Sequence, residues 1–211
     1  MNRTWWLVCC IALIGCGAPD DAKKVPQKKV EIPKGPPPAM FKVNFDTSRG
    51  LVVVEVHRDW APRGVDHFWD LLQTGYFDGD RIYRVTQRYA QFGVNGDPSV
   101  TSLWSTARIP DDPRKQSNLK GTLTYAQEGP GSRTTQLFFN LQDNTALDKE
   151  KFAPIGKVVE GIDVLDHFYS GYGDWPPRGD GPDPAKLQAQ GNPYLEARFP
   201  RLDYIKKATI Q

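Results

Sequence analysis

Hydrophobic and polar residues alternate in two neighbouring stretches of the chain. Phe41, Val43 and Phe45 lie at every second position, and the same spacing recurs over residues 51–56. A period of two residues is typical of a β-strand with one buried face. Because a short polar stretch at 46–50 separates the two runs, the pattern predicts a β-hairpin.

A helical pattern follows the predicted hairpin. Large apolar residues occupy the i, i+3, i+4 and i+7 positions over residues 65–72. Pro62 lies near the start of this stretch and Gly75 lies just past its end, which are positions where helix boundaries favour these residues. We therefore expect a helix that begins near Pro62 and ends before Gly75.

The rest of the pattern consists mostly of short apolar runs between loops rich in Gly, Pro and Asp. It predicts strands near 81–85, 88–92, 122–126, 136–140, 155–159 and 202–210, and helices over 161–168 and within 184–198. Many short strands with few helices favour a closed antiparallel barrel capped by helices. We expect the helix within 184–198 to be an additional C-terminal segment.

The first fifteen residues have the pattern of an export signal. Arg3 precedes an apolar run at 5–15, which is shorter than the roughly 20 residues that a membrane-spanning helix needs. The run ends in Leu13-Ile14-Gly15-Cys16, which resembles the lipobox of bacterial lipoproteins. We expect residues 1–15 to be a signal peptide and Cys16 to be lipidated. The alternative is ordinary signal cleavage beside an incidental cysteine.

Residues 16–39 are predicted to be a tether. This segment is rich in Lys and Pro and has few large apolar residues, so burial cannot offset the entropy of ordering it. We expect the folded domain at 40–211. The predicted location is the bacterial cell envelope, with the domain anchored to a membrane by its N-terminal lipid and facing the periplasm or another extracytoplasmic space.

Composition excludes several classes of function. The net charge of +2 gives no support for binding nucleic acid through a basic surface. All three cysteines lie in the first sixteen residues, so the predicted domain has no disulfide, cysteine nucleophile or cysteine metal site. The three histidines are scattered, which excludes a clustered zinc site, and we expect no metal.

Five blocks of the predicted domain resemble the cyclophilin family. In family order they are 75–85 (GYFDGDRIYRV), 91–98 (QFGVNGDP), 121–126 (GTLTYA), 135–140 (TQLFFN) and the motifs within 147–158. The resemblance implies an eight-stranded antiparallel barrel with two capping helices, which agrees with the strand pattern. It also implies peptidyl-prolyl cis/trans isomerase activity on proline-containing polypeptides, without a cofactor. We expect a monomer.

Catalysis of amide rotation requires only a few groups from the protein. The barrier of roughly 18–20 kcal/mol comes from resonance, and no nucleophile or metal is required to lower it. An apolar pocket for the ring, a fixed cation and polar groups along the backbone suffice. The resemblance assigns the catalytic cation to Arg84, within Ile82-Tyr83-Arg84-Val85. The alternative is a surface arginine that lies over a strand.

The resemblance also assigns residues to the substrate groove. Tyr89, Phe138 and Leu147 match the proline pocket, and Gln91 and Gln136 match groove glutamines. Ala126 and Gln127 match the edge segment that holds the peptide backbone. Phe152 or Lys151 lies where the family has a histidine. Phe138 and Phe139 point to opposite faces of a strand, so we expect only Phe138 in the groove and Phe139 in the core.

The chain departs from the family beside the predicted site. The stretch between Arg84 and Gln91 is one residue shorter than usual, and a gapless alignment would instead place Phe92 at the glutamine position. The residues 86–88 also replace an apolar-Pro-Gly sequence. This change leaves open a catalytically weak or inactive peptide-binding chaperone or scaffold. A third alternative is an envelope protein that docks a partner through residues 171–200.

Overall fold

The computed structural model describes residues 35–211. The predicted signal peptide, the lipidation site Cys16 and most of the predicted tether lie outside the described residues. No helix between residue 35 and residue 211 is both long and apolar enough to cross a bilayer.

Eight antiparallel strands form one sheet. They are β1 (Met40–Thr47), β2 (Gly50–His57), β3 (Arg84–Val85), β4 (Tyr89–Phe92), β5 (Thr122–Tyr125), β6 (Leu137–Asn140), β7 (Pro154–Glu160) and β8 (Ile205–Ile210). Their order across the sheet is β3-β4-β6-β5-β7-β2-β1-β8. The mainly β fold and the β1–β2 hairpin, which pairs Phe45 with Val52, are as predicted.

The core lies on the concave face of the curled sheet. Phe45 of β1 is fully buried and packs against four other phenylalanine rings, at centroid distances of 5.8 to 6.4 Å: Phe68, Phe77, Phe92 and Phe139. Phe68 belongs to α1 (Pro62–Gln73), so the helix packs its apolar face against the sheet. This aromatic cluster packs β4 and β6 against the core. Both strands also contribute residues to the cleft described below.

The barrel is open, and the prediction of a closed barrel is wrong. The edge strands β3 and β8 share no ladder, and the residues that precede them are joined by an isolated bridge between Arg81 and Tyr204. Next to it the Ile82 N–H donates to the Asp203 carbonyl at 2.8 Å. The strand predicted over 81–85 is paired in the sheet only at Arg84 and Val85, because the residues before them turn toward the 203–205 segment.

The helices differ from the prediction in number and length. The helix predicted over 161–168 is reduced to the four residues of α4 (Ile162–Leu165). Two unpredicted short helices occur, α2 (Pro98–Trp104) and α3 (Ala146–Lys149). The predicted pair of capping helices is therefore one long helix, α1, and several short ones.

The additional C-terminal helix is α5 (Pro184–Arg198), and it is interrupted at Gly191. The backbone there has a φ of 57° and a ψ of −143°. A Cβ at this position would lie 2.2 Å from the carbonyl oxygen of Gly96, so only glycine allows this close approach. The interruption packs α5 against the loop that follows β4.

A buried histidine in α1 makes stability depend on pH. His67 is 8% exposed and packs against Trp104 at a ring distance of 5.5 Å. Burial lowers the pKa of His67 to about 4. In the unfolded chain its pKa is about 6.5. Between these values the unfolded state binds more protons, so the free energy of unfolding falls as the pH drops from about 6.5 to about 4.

We expect His67→Phe to remove most of this pH dependence. The linked loss in wild type is up to about 3 kcal/mol, since each pKa unit corresponds to about 1.4 kcal/mol. Urea unfolding at several pH values between 7.5 and 4 measures it. His167→Gln, at an exposed histidine, is the control and should keep the wild-type slope. An equal slope in wild type and His67→Phe would contradict the prediction.

Candidate active site

Arg84 lies at the centre of a cleft and is bound on three sides. Its Nη1 donates to Oε1 of Gln91 at 2.9 Å and its Nη2 to the Tyr89 hydroxyl at 2.7 Å. Its Nε donates to Oδ1 of Asp174 at 2.6 Å. The side chain is only 12% exposed. The guanidinium also lies 4.6 Å from the ring centre of Tyr89 and 5.1 Å from that of Trp175. Arg84 is thus a fixed cation in the cleft, not a mobile surface side chain.

The shortened segment after Arg84 forms a tight hairpin. β3 pairs with β4 so that Arg84 is opposite Gln91. The Oγ1 of Thr86 accepts hydrogen bonds from the backbone of Arg88 at 3.1 Å and of Tyr89 at 3.3 Å, which closes the turn. Phe92 is fully buried in the core. The glutamine therefore lies beside the arginine, as the one-residue deletion requires and the gapless alignment does not.

A short hydrogen-bond chain orients both groove glutamines. Nε2 of Gln91 donates to Oε1 of Gln136 at 3.1 Å. The same oxygen accepts from the Tyr83 hydroxyl at 2.8 Å. Burial raises the pKa of Tyr83, so its hydroxyl stays protonated and remains a donor. The chain fixes the amide of Gln91 so that its oxygen faces Arg84.

Aromatic side chains form the apolar side of the cleft. Phe138 lies 5.6 Å from Tyr89 and 6.0 Å from Phe152, measured between ring centres. Leu147 of α3 lines the cleft beside them. Phe139 points the other way and stacks on Phe92 in the core at 5.4 Å. A proline ring is a chemically suitable occupant of this hollow, because it is compact and apolar.

Every predicted site residue in the described part of the chain lines the same cleft of about 470 Å³: Arg84, Tyr89, Gln91, Ala126, Gln127, Gln136, Phe138, Leu147 and Phe152. Ala126 follows the last residue of β5, and its N–H donates to the Gln136 carbonyl at 2.9 Å. The Nε2 of Gln127 donates to the Glu150 carbonyl at 3.2 Å. Cys16 lies outside the described residues.

Sequence reasoning missed two residues that contact Arg84. Asp174 and Trp175 lie in a stretch rich in Gly and Pro, and the composition of that stretch indicates only a loop. The structure brings both to the guanidinium. No local signal could have identified them, because the contact with Asp174 joins residues 90 positions apart.

The sequence of the chain is similar to that of known proteins. Residues 42–180 match the family model described as "Cyclophilin type peptidyl-prolyl cis-trans isomerase/CLD". Peptidyl-prolyl cis-trans isomerase-like 1 of Rhizopus delemar is 32% identical over 130 residues, which cover 59% of this chain and 77% of that protein. Peptidyl-prolyl cis-trans isomerase B of Escherichia coli is 28% identical over 133 residues, which cover 59% of this chain and 81% of that protein.

A solved structure shows the same fold. The crystal structure of a Cryptosporidium parvum cyclophilin type peptidyl-prolyl cis-trans isomerase superposes with a TM-score of 0.59 at 17% identity. The match covers 82% of this chain and 98% of that one. The likeness at this identity concerns the fold, and the family model and the Rhizopus relative extend it to the sequence. The chain belongs to the family of cyclophilin-type peptidyl-prolyl cis-trans isomerases.

Proposed function

We propose that the cleft around Arg84 is where this cyclophilin-type isomerase accelerates rotation of Xaa-Pro bonds. The observation that supports the proposal is a fixed guanidinium at the border of an aromatic hollow. Three of its five N–H bonds are used by Tyr89, Gln91 and Asp174. Within residues 35–211 the other two, one on each Nη atom, have no hydrogen-bond partner, so the cation can donate to a bound peptide and keep these three contacts.

The chemistry follows from the twisted amide. Rotation breaks the resonance of the amide, so the nitrogen becomes pyramidal and basic at the top of the barrier. A fixed donor that interacts with this state more strongly than with the planar amide lowers the barrier. Phe138 and its neighbours hold the ring, and Gln91, Gln136 and the segment at Ala126 and Gln127 contact the flanking backbone. No covalent bond forms or breaks during this rotation.

The substrates we propose are exported or unfolded polypeptides. Main-chain hydrogen bonds to an extended peptide tolerate many sequences, which suits a catalyst of varied clients. Uncatalysed isomerisation takes tens of seconds, so chains that fold after export gain from a catalyst. We assign the protein to the bacterial cell envelope because the pattern of residues 1–15 and the cysteine at position 16 have the features of a lipoprotein signal.

Measurement of cis-to-trans kinetics with short Xaa-Pro peptides tests the catalytic proposal. We expect the wild-type protein to raise the rate well above the uncatalysed value, in proportion to enzyme concentration. Binding of the same peptides is followed in parallel by NMR titration. Binding without acceleration would contradict catalysis and favour the peptide-binding chaperone or scaffold that the altered residues 86–88 leave open.

Fractionation of cells that produce the full chain tests the proposed anchor. We expect wild type in the membrane fraction and Cys16→Ala in the soluble fraction, with a fatty-acylated N-terminal cysteine in the mass spectrum of wild type only. Equal distribution of both proteins in the soluble fraction would contradict lipidation of Cys16.

A further inference from the structure

We propose that Asp174 is a positioning residue for Arg84, and that the segment 171–182 exists in part to hold it there. We call this segment the strap. The inference rests on the proposed function, because it concerns how the catalytic arginine is oriented. It adds a carboxylate to the site, and that carboxylate comes from a part of the chain remote in sequence from the strands that carry the other site residues.

The strap is folded around Asp174. Oδ1 of this residue accepts from the Trp175 backbone at 2.7 Å as well as from Arg84 at 2.6 Å, and its Oδ2 lies 3.1 Å from Nε of Arg178. The carbonyl of Asp174 accepts from the Gly181 N–H at 3.0 Å. These contacts leave the carboxylate one orientation, with Oδ1 directed at the Nε of Arg84.

Two glycines make this fold of the strap possible. A Cβ at Gly179 would lie 2.5 Å from the backbone nitrogen and oxygen of Asp174, and a Cβ at Gly181 would lie 2.7 Å from the same oxygen. Backbone atoms cannot move away as a flexible side chain can, so larger residues would push Asp174 out of place. The close packing therefore fixes the backbone from which the carboxylate projects.

Trp175 attaches the strap to the domain beside the site. Its ring stacks on Tyr83 at 5.5 Å and an interplanar angle of 23°. Tyr83 belongs to a small buried cluster with Val94, Leu187, Leu195 and Leu202, and Trp175 packs against this cluster. The strap is thus secured by apolar contacts of its own, so the position of Asp174 does not depend on its bond to Arg84 alone.

The positions of the bonds explain why a carboxylate here favours catalysis. Asp174 takes the Nε–H of Arg84, while Gln91 and Tyr89 each take one N–H from an Nη atom. The hydrogen bond at Nε restrains the guanidinium, and one N–H on each Nη has no partner in the part of the chain that the structure describes, so both can donate to the substrate. Asp174 is shared between Arg84 and Arg178, so the three side chains together carry one net positive charge.

The ion pair is intact at neutral pH. Burial alone would raise the pKa of Asp174, but the hydrogen bonds from Arg84 and the Trp175 N–H, together with the two nearby cations, hold it below its usual range. At neutral pH the carboxylate is therefore charged and can accept from the Nε–H of Arg84.

Kinetics of Asp174→Ala and Asp174→Asn test the role. We expect Asp174→Ala to lower kcat/KM about tenfold, mainly through kcat, because the peptide still binds while the cation is no longer fixed. Asp174→Asn keeps an oxygen that can accept from Nε and should lose less. The matched control is Asp180→Ala, which removes an exposed carboxylate of the strap that has no side-chain partner within residues 35–211, and it should leave kcat/KM unchanged.

A spectroscopic measurement separates positioning from loss of structure. The Nε–H resonance of Arg84, assigned by its absence in Arg84→Lys, should exchange slowly with solvent in wild type and Asp180→Ala. It should exchange much faster in Asp174→Ala. Thermal unfolding of each variant shows whether the fold is retained, and Asp174→Asn gives a second, milder variant should Asp174→Ala not fold.

The failure of this proposal is distinguishable from failure of the proposed function. An active wild type with equal or higher kcat/KM in folded Asp174→Ala overturns the positioning role and leaves the catalytic proposal intact. A protected Arg84 Nε–H in Asp174→Ala overturns it as well. A wild type without any acceleration overturns the proposed function, and the positioning role with it.

Discussion

Replacement of Arg84 by alanine should lower kcat/KM for an Xaa-Pro peptide by about 100-fold. Loss of one preorganised donor in a water-poor site typically costs about two to three orders of magnitude, or about 3 kcal/mol at the lower end. Arg84 is the cation that the cleft presents beside the hollow of Phe138, and its alanine variant retains the hollow. We therefore expect the loss in kcat, with KM changed little.

Arg84→Lys should recover only part of the activity. Lysine keeps the positive charge, but it has no Nε–H for Asp174 and no planar set of donors that can reach Gln91 and Tyr89 together. We expect kcat/KM about tenfold below wild type in the same kinetic assay. Arg88→Ala, at an exposed arginine in the adjoining turn, is the matched control and should remain close to wild type. A loss in Arg84→Ala that appears only in KM would show that Arg84 binds the ground state and does not stabilise the twisted amide.

Replacement of Asp112 by alanine should lower the free energy of unfolding by about 3–5 kcal/mol. Removal of one partner from a buried ion pair leaves the other charge uncompensated, and losses of this size are typical. Asp112 is 4% exposed, and its Oδ2 lies 3.1 Å from Nη2 of Arg133, which is 2% exposed. The carboxylate also accepts from the backbone N–H groups of Arg63 at 3.0 Å and Gly64 at 2.8 Å.

These two backbone contacts make Asp112 a remote cap for α1. The helix has no side-chain cap of its own at Ala61, so the N–H groups of its first turn depend on a residue almost fifty positions away. Urea unfolding at neutral pH measures the effect. The control is Asp111→Ala, since Asp111 is 32% exposed and its oxygen is 3.7 Å from Nε of Arg133, and we expect a loss of about 1 kcal/mol or less there. A loss below 1 kcal/mol in Asp112→Ala would contradict the prediction.

The parts of the fold that the sequence predicts are those with a local pattern. Alternation over 41–45 and 51–56 predicts β1 and β2, and the same rule separates Phe138 in the cleft from Phe139 in the core. α2 lacks such a pattern, since it buries only Thr101 and Trp104 of its seven residues. The helix predicted over 161–168 exceeds α4 because the apolar spacing continues to Phe168, which lies beyond the four helical residues.

Local sequence patterns do not reveal the residues that hold the site residues and α1 in place. Arg84 and Gln91 are seven positions apart, and the spacing of family motifs is enough to pair them. Asp174 and Asp112 act on partners 90 and 48 positions away, and their neighbours in the sequence indicate only loops. The open barrel has a similar origin, because the contact between Arg81 and Tyr204 depends on how far the whole sheet curls. Such contacts form only in the assembled fold, so only the structure identifies them.

Tyr83 has a role at both ends of its side chain. Its ring is fully buried between Trp175 and the leucines of α5, and its hydroxyl reaches Gln136 at 2.8 Å. Since an aromatic ring is rigid, any shift forced on it by altered packing at Leu187 or Leu195 also displaces the hydroxyl. Substitutions at these two leucines of α5 would therefore alter the orientation of Gln136 without changing any residue that lines the cleft.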